Sequence, residues 1–395
     1  MNEASDGRRD GLAELTIDLD AIGENWRRLA ARAAPAQCGA AVKADAYGCG
    51  IEAVVPALSM AGCRTFFVAH VSEGRRVRQA LRDRGAEARI LVLNGFHPET
   101  APIADYIDAA LDPVIGSPHE LSAWEALLVA AKSPERLSCA LHVDTGMNRL
   151  GFPVEEAGGF TVERLAAARV DLVMSHLVSA EMPAEPVNAR QIAAFEALRH
   201  GALGALPASL ANSSGIFLPQ RPHYALVRPG YALYGGNPTP DASNPMRPAV
   251  RLETRVLQVR HVPAGATAGY NARWTAARPS RLATLALGYA DGLPMGASGL
   301  GRHGAPVFVG GRPCPIVGRI SMDLTIVDVT DLPEGEAKPG LMAEILGEHA
   351  GIDDLARQAG TIGYEILTSL GHRYRRHYVG DGCGASAAQE SRSRV

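Results

Sequence analysis

From residue 12 onward the chain alternates two hydrophobic textures. Short apolar runs recur at 38–42, 65–69, 89–93, 108–111, 138–143, 171–175, 207–211 and 224–227. Between most of them lie stretches with helical or turn-helix spacing, at 72–84, 117–132 and 186–202. Runs of the first kind fit strands covered on both faces, and those of the second fit amphipathic helices. Ala13 to Leu19 reads as a further short strand, and Asp20 to Ala34, with Ile22, Trp26 and Leu29 at helical spacing, as a helix. Eight strands with intervening crossovers predict a parallel (β/α)8 barrel. A doubly wound sheet competes with it, but no Gly-x-Gly-x-x-Gly follows the first strand.

After about residue 245 the texture changes. Long helical patterns stop, and short Val/Ile/Leu runs at 250–260, 281–287, 306–310, 313–318, 324–329 and 341–346 alternate with Gly/Pro turns. This predicts a second, mostly antiparallel β domain. Asn237 to Pro248 carries four prolines and reads as the linker. The expected organisation is a disordered head over 1–11, a barrel over 12–245, a β-rich domain over 246–379 and a disordered tail over 380–395. The tail is small, polar and rich in Ser and Arg, a composition that does not build a core.

Composition narrows the class. A chain of 395 residues with 47% hydrophobic and 21% charged residues suits a two-domain globular protein. A net charge of −3 offers no basic face for nucleic acid, and no apolar run is long enough to span a membrane. Residues 1–12 lack the apolar stretch of a signal peptide. Cys38, Cys49, Cys63, Cys139, Cys314 and Cys383 show no metal-ligand or Cys-x-x-Cys spacing. The expectation is a reduced, cytoplasmic, enzyme-sized protein without a structural metal.

Candidate chemistry starts at lysine. Of 39 Lys and Arg residues only Lys43, Lys132 and Lys338 are lysine. Lys43 ends the first apolar run and opens a small, Gly-rich turn. Unlike Arg, it can lose its proton and act as an amine nucleophile or base, or else simply snorkel from a strand end. In a barrel of this type the C-terminal ends of the strands carry the active site. Lys43 falls there, with Asp144-Thr145-Gly146-Met147-Asn148-Arg149 after the fifth strand. Ser175-His176 ends the sixth, Asn212-Ser213-Ser214 the seventh and Arg228-Pro229-Gly230-Tyr231 the eighth. Hydroxyls and a Gly turn after strands seven and eight suit a phosphate. An amine facing a phosphorylated ligand points to pyridoxal phosphate, whose aldehyde needs a lysine. Taken singly, His176 reads more readily as a satisfied core or strand-end histidine, while Arg149 and Arg228 read equally as surface or rim ion-pair partners and Ser213 as an N-cap.

The motifs Ala-Val-Lys-Ala-Asp-Ala-Tyr-Gly (41–48), Val-Asp-Thr-Gly-Met-Asn-Arg-Leu-Gly (143–151), Ser-His (175–176), Ala-Asn-Ser (211–213), Val-Arg-Pro-Gly (227–230), Gly-Tyr-Ala-Asp-Gly (288–292) and Ser-Met-Asp (321–323) occur in this order. With them the chain resembles the alanine racemases over roughly residues 12 to 378. The resemblance implies a pyridoxal-phosphate enzyme that interconverts L- and D-alanine, supplying D-alanine for peptidoglycan or consuming it, and works as a homodimer with shared sites. It implies that Lys43 carries the cofactor and is the base on one face of the substrate. Tyr270 would be the base on the other face, contributed to the other chain's barrel. Arg228 would face the pyridine nitrogen, and His176 would link it to Tyr270. Tyr47, Asn212, Ser213, Gly230, Tyr231 and Tyr364 would bind the cofactor, mainly at its phosphate. Arg149 and the backbone N–H of Met322 would hold the substrate carboxylate, with Tyr289 and Asp323 at the entrance. Two bases on opposite sides of a planar carbon fit racemisation directly.

Three positions depart from the family pattern. Several members have a carbamylated lysine two residues before Asp-Thr-Gly, where this chain has His142. Another anion must then orient Arg149, or Arg149 is held differently. Ser321 replaces a frequent Cys, and Met295 replaces an entrance Arg found in some members. A barrel-plus-β decarboxylase would carry a Gly-Glu-Pro-Gly-Arg type loop, which is missing. A non-catalytic pyridoxal-phosphate carrier would resemble the barrel alone. A racemase acting on serine stays open at this level.

Overall fold

The computed structural model describes residues 11–131, 137–301 and 303–382. Residues 1–10 and 383–395, which hold most of the expected head and tail, lie outside the described residues, as do Lys132 and Cys383. The chain divides into two compact units, one running from Asp20 to Arg247, the other joining the segment up to Leu19 to Pro248–Gly380.

The first unit is the barrel. Its first strand is Gln37–Cys38, continuing past Gly39 as Ala40–Ala41. Thr65–Val68, Arg89–Val92, Leu111–Ile115, Cys139–Asp144, Val170–Met174, Ala208–Ser209 and Leu226–Val227 follow. Each neighbouring pair with strand register runs parallel, from Ala41 beside Phe67 round to Ser209 beside Met174. The ring closes because the Ala225 N–H bonds to Ala208 O at 3.0 Å while Val227 pairs with Cys38. Phe66, Phe67, Ile90, Leu91 and Leu141 are fully buried. This is the packing that near-continuous apolar strands require when both faces are covered.

Two elements differ from the sequence expectation. The fourth strand lies at Leu111–Ile115 rather than 108–111, and a helix, Ile103–Asp108, occupies its expected start. Asp112 and Pro113 interrupt the apolar run and hide the strand. Asp112 is tolerated because Arg89 on the adjacent strand pairs with it at 2.6 Å. The helix Ile51–Ala61 also went unread. Seven of its residues are buried and Pro56 sits inside it, so it shows no polar face and no amphipathic period. Helices Leu19–Ala33, Val71–Arg82, Pro118–Ala130 and Pro186–Leu198 match expected stretches to within a few residues. Ser117 caps the third of these through the Glu120 N–H at 3.3 Å, with Pro118 at its first turn.

The second unit is built on the long strand Val250–Val262, antiparallel to Ser280–Leu285 and Met342–Leu346. Pro306–Val309, Arg312–Pro315 and Thr325–Asp328 extend the sheets antiparallel. The N-terminal strand Ala13–Asp18 joins this unit rather than the barrel, antiparallel to Val250–Val262 and parallel to Arg375–Val379. Two short helices, Ile352–Ala359 and Gly363–Thr368, complete it.

At the N-terminal end of the barrel strands, Arg89 pairs with both Asp112 and Asp171. Burial pushes the Asp112 carboxyl above its ordinary value, and Arg89 opposes that shift. A carboxyl that holds its proton more tightly when folded favours folding at low pH and loses that benefit as pH rises through its folded value. Arg89→Met leaves Asp112 unpaired and is expected to cost about 2–3 kcal/mol at pH 7, below the loss for a fully buried pair. Denaturant unfolding at pH 7 and pH 4.5 should show a smaller penalty at the lower pH.

Candidate active site

The first barrel strand ends at Lys43, anchored by the bond from the Val42 N–H to Phe67 O at 2.9 Å. The chain then makes a left-handed turn. Ala44, Asp45, Ala46 and Tyr47 all have φ of 53–54°, and Gly48 and Gly50 continue at 77° and 95°. Left-handed backbone costs an L residue roughly 1–2 kcal/mol, so four in succession need outside support. Glu73 Oε1 accepts the Ala44 N–H at 2.6 Å, Asp45 Oδ1 accepts the Ile51 N–H at 3.1 Å, and Arg76 pairs with Asp45 at 2.6 Å. Lys43 is half-buried. Burial and the Arg149 charge loosen its proton, and Glu73 acts in the opposite direction.

Arg228, only 6% exposed, sits at the end of the eighth strand. It donates to Ser209 Oγ and Ser175 O at 2.5 Å each, and to Leu210 O at 3.4 Å. Among the described residues no carboxylate pairs with it, and burial lowers its pKa to about 10. His176 Nδ1 lies 3.5 Å from the Arg228 guanidinium. Arginine only donates, so Nδ1 faces it as an acceptor and a neutral imidazole carries its proton on Nε2. Burial, Arg228 and Arg149 push His176 down to about 3, which keeps it neutral. His142, on the fifth strand, is pushed down to about 4 by burial and Arg228, with Asp144 opposing. Arg149 is exposed at the same strand ends. Burial alone would raise the Asp144 carboxyl, but N–H groups of residues 146 to 149 outweigh it. Asp144 thus shapes its own loop. The strand-end loops are tied by Thr145 Oγ1 to Ser175 Oγ at 2.8 Å, and Gln191 joins Thr145 at 3.2 Å to the His176 carbonyl at 2.9 Å.

Ser213 stands at the N-cap position of the turn Ser214–Phe217, but its side chain makes no cap bond there. Its hydroxyl accepts the N–H groups of Gly230 at 3.0 Å and Ala232 at 3.2 Å, while Asn212 Oδ1 takes the Gly215 N–H at 2.8 Å. These bonds draw the loops after strands seven and eight together. Tyr47 stacks on Tyr234 at 4.8 Å, and Tyr231 is buried in the turn that follows Gly230. The barrel unit therefore brings together Lys43, Tyr47, Arg149, His176, Asn212, Ser213, Arg228, Gly230 and Tyr231.

Tyr270, Tyr289, Met322, Asp323 and Tyr364 belong to the second unit. Tyr270 is 65% exposed. Its neighbours Gly269, Asn271 and Ala272 have φ of 74°, 62° and 48°. Tyr289 and Ala290 donate their N–H groups to Ser321 O and Met322 O at 3.0 Å each, so the two motifs dock backbone to backbone. Arg373 fixes this pair of loops, bonding Asp291 and Asp323 at 2.7 Å each. Asp291 also accepts the Gly288 N–H at 2.9 Å. Tyr289 and Met295 line a cavity of about 420 Å³ with Thr361 and Glu365. Tyr364 sits on Gly363–Thr368. Glu73, Arg76 and Arg373 were not singled out in the sequence. Arg76 and Arg373 act through carboxylates distant in the chain; Glu73 is the N3 residue of a capping box with His70, but its bonds to Ala44 and Asp45, distant in the chain, have no local mark.

A Cβ added to Gly230 would lie 2.3 Å from the Tyr47 hydroxyl oxygen and 3.2 Å from Ala41 Cβ. The φ of −131° there permits any residue, so the obstacle is space alone. Gly230→Ala should fold yet retain pyridoxal phosphate at least about tenfold more weakly, equivalent to about 1.4 kcal/mol. Equilibrium dialysis read by cofactor absorbance checks this, and unchanged retention would remove Gly230 from the cradle.

Two family models match the chain: the alanine racemase N-terminal domain over residues 17–238 and the alanine racemase C-terminal domain over 249–378. An alanine racemase of Methylobacterium nodulans is 56% identical over 95% of this chain and 98% of its own length. A catabolic alanine racemase of Agrobacterium fabrum is 44% identical over 95% of both chains. The crystal structure of alanine racemase from Bartonella henselae, with covalently bound pyridoxal phosphate, superposes with a TM-score of 0.84 at 37% identity, covering 93% of this chain and 99% of that one. With its barrel, its β unit and its ordered motifs, the chain belongs to the alanine racemase family of pyridoxal-phosphate-dependent isomerases.

Proposed function

We propose that the protein is an alanine racemase that interconverts L- and D-alanine, with Lys43 and Tyr270 as the two acid–base groups. The observation that carries this reading is the cluster at the barrel strand ends. A lysine whose proton is loosened by burial and Arg149 shares it with a buried, carboxylate-free arginine and two neutral histidines. Such a site favours anions, which suits both a phosphate and a substrate carboxylate.

The residues fit pyridoxal phosphate. Lys43 supplies the amine for its aldehyde. The close approach of Tyr47 to Gly230, with Ser213, Asn212 and Tyr231 around it, would hold its phosphate, and the family resemblance adds Tyr364. Arg228 would face the pyridine nitrogen, to which it can only donate. When bound, the cofactor supplies electron withdrawal that makes the substrate Cα–H acidic.

The chain's own groups then move the proton. Lys43 takes or returns it on one face of the Cα, and Tyr270 does so on the opposite face. A phenol is a weak base at neutral pH. His176 faces Arg228 through Nδ1 with its proton on Nε2; on this reading that N–H would meet the partner subunit's Tyr270 and carry the arginine charge to the phenol. Arg149 and the Met322 N–H hold the substrate carboxylate, and Tyr289 and Asp323 border its path. The exposure of Tyr270 supports a homodimer in which this residue serves the other chain's barrel. A cytoplasmic location accords with two facts: no described helix is long and apolar enough to cross a membrane, and Cys38, Cys49, Cys63, Cys139 and Cys314 are free. Proton exchange between two faces runs in either direction, so the same site serves synthesis or consumption of D-alanine.

Purified, pyridoxal-phosphate-loaded protein should convert L-alanine to D-alanine, read by chiral chromatography. Abundant D-serine from L-serine would make it a broader racemase, and no D-product from folded, yellow protein would overturn the assignment. Subunit mixing tests the shared site. Lys43→Ala and Tyr270→Phe chains, each inactive alone, should recover about a quarter of wild-type activity on random reassociation, since half the dimers hold one intact site. No recovery would place both residues in one chain's site.

A further inference from the structure

One carboxylate ties the lysine turn to the rest of the barrel. Glu73, in the first turn of the helix Val71–Arg82, receives four backbone N–H groups. Its Oε1 accepts from Ala44 at 2.6 Å and Asp45 at 3.4 Å, directly after Lys43. Its Oε2 accepts from Ala69 at 2.9 Å and His70 at 3.2 Å, at the end of the second barrel strand. Two pairs of donors at opposite ends of one side chain require acceptors at both ends. A carboxylate provides them, whereas an amide would turn its NH2 on one pair.

The Ala44 and Asp45 N–H groups belong to the left-handed turn, the part of this backbone that L residues resist. Arg76, one turn further along the same helix, and the Ile51 N–H engage the Asp45 side chain at 2.6 and 3.1 Å. That leaves Glu73 to hold the segment that leaves the strand with Lys43. The charges around Lys43 are mostly positive or neutral: Arg149 from the loop after the fifth strand, His176 from the end of the sixth, and Asp45 already bound to Arg76 on its own turn. Glu73 is the carboxylate acting against burial and Arg149 on that amine.

We propose that Glu73 is a positioning residue for Lys43, holding the left-handed turn from which the lysine projects and serving as its counter-charge. The inference rests on the reading of Lys43 as the working amine, but its test does not use racemase activity. The chain has three lysines, Lys43, Lys132 and Lys338, so peptides carrying each are distinguishable. Cofactor-free protein is labelled with an amine-selective reagent across a pH series, and modification of the Lys43 peptide is quantified by mass spectrometry.

In Glu73→Gln the Lys43 labelling midpoint should move to lower pH by roughly one unit, as expected when a nearby opposite charge is lost. A second variant separates charge from clamp. Adding Ala44→Gly and Ala46→Gly to Glu73→Gln relieves the strain at two of the four left-handed residues, because glycine adopts positive φ freely. This triple variant should regain thermal stability while its Lys43 midpoint stays low, and it replaces the single variant if that fails to fold. A midpoint unchanged in Glu73→Gln, or restored by the two glycines, would overturn the proposal. Failure of the L-alanine assay leaves this result standing, so the two readings fail separately.

Discussion

A buried arginine that no carboxylate among the described residues pairs with is the constraint around which the barrel's strand ends are arranged. Taking an ion out of water costs several kcal/mol unless its donors are met. Arg228 is met by neutral acceptors: a serine hydroxyl, two backbone carbonyls and one imidazole nitrogen. Those partners satisfy its hydrogen bonds but leave its charge uncancelled. The field of that charge then reaches its neighbours. Burial, with this charge beside it, keeps His142 and His176 neutral; the arginine fixes the His176 tautomer, and with Arg149 it makes the strand ends a place for anions. A dianionic phosphate and a substrate carboxylate are the ligands that such a site stabilises.

The second constraint is backbone strain beside Lys43. Four residues in left-handed conformation are costly, and other groups over-determine them: Glu73 accepts two of their N–H groups, Arg76 and the Ile51 N–H hold the Asp45 side chain, and Gly48 and Gly50 close the turn. The same design recurs in the β unit. There Arg373 bridges Asp291 and Asp323 and so fixes the Gly-Tyr-Ala-Asp-Gly and Ser-Met-Asp loops together. In both places a side chain from a separate element holds the loop that carries a candidate site residue. Local strain persists only under such external bonds.

Much of this was legible in the sequence because covered strands leave apolar runs, and the eight barrel runs correspond to strands. The fourth shifted because Asp112 and Pro113 broke its run, and the pairing with Arg89 that excuses Asp112 comes from 23 residues away. The helix Ile51–Ala61 was invisible because it is buried nearly all round. Ala13–Asp18 was readable as a strand, but nothing in it says that its partners lie at Val250–Val262 and Arg375–Val379. The family followed from the order of its motifs. Ser213 was ambiguous for a physical reason: the same hydroxyl can cap a helix or hold a distant loop, and only the fold brings Gly230 and Ala232 to it. Glu73 and Arg373 lie outside the sequence reading because their partners are far away in the chain: a backbone N–H 29 residues off for Glu73 and the Asp291 carboxylate 82 residues off for Arg373.

The claim that two groups work on opposite faces of the Cα is tested most directly by deuterium exchange in Tyr270→Phe protein loaded with pyridoxal phosphate. In heavy water the variant, retaining Lys43, should exchange the Cα proton of one alanine enantiomer with retention and form almost none of the other. Wild-type protein should give both enantiomers labelled at Cα. Racemisation by Tyr270→Phe at near wild-type rate, or exchange of both enantiomers without inversion, would contradict the two-base account.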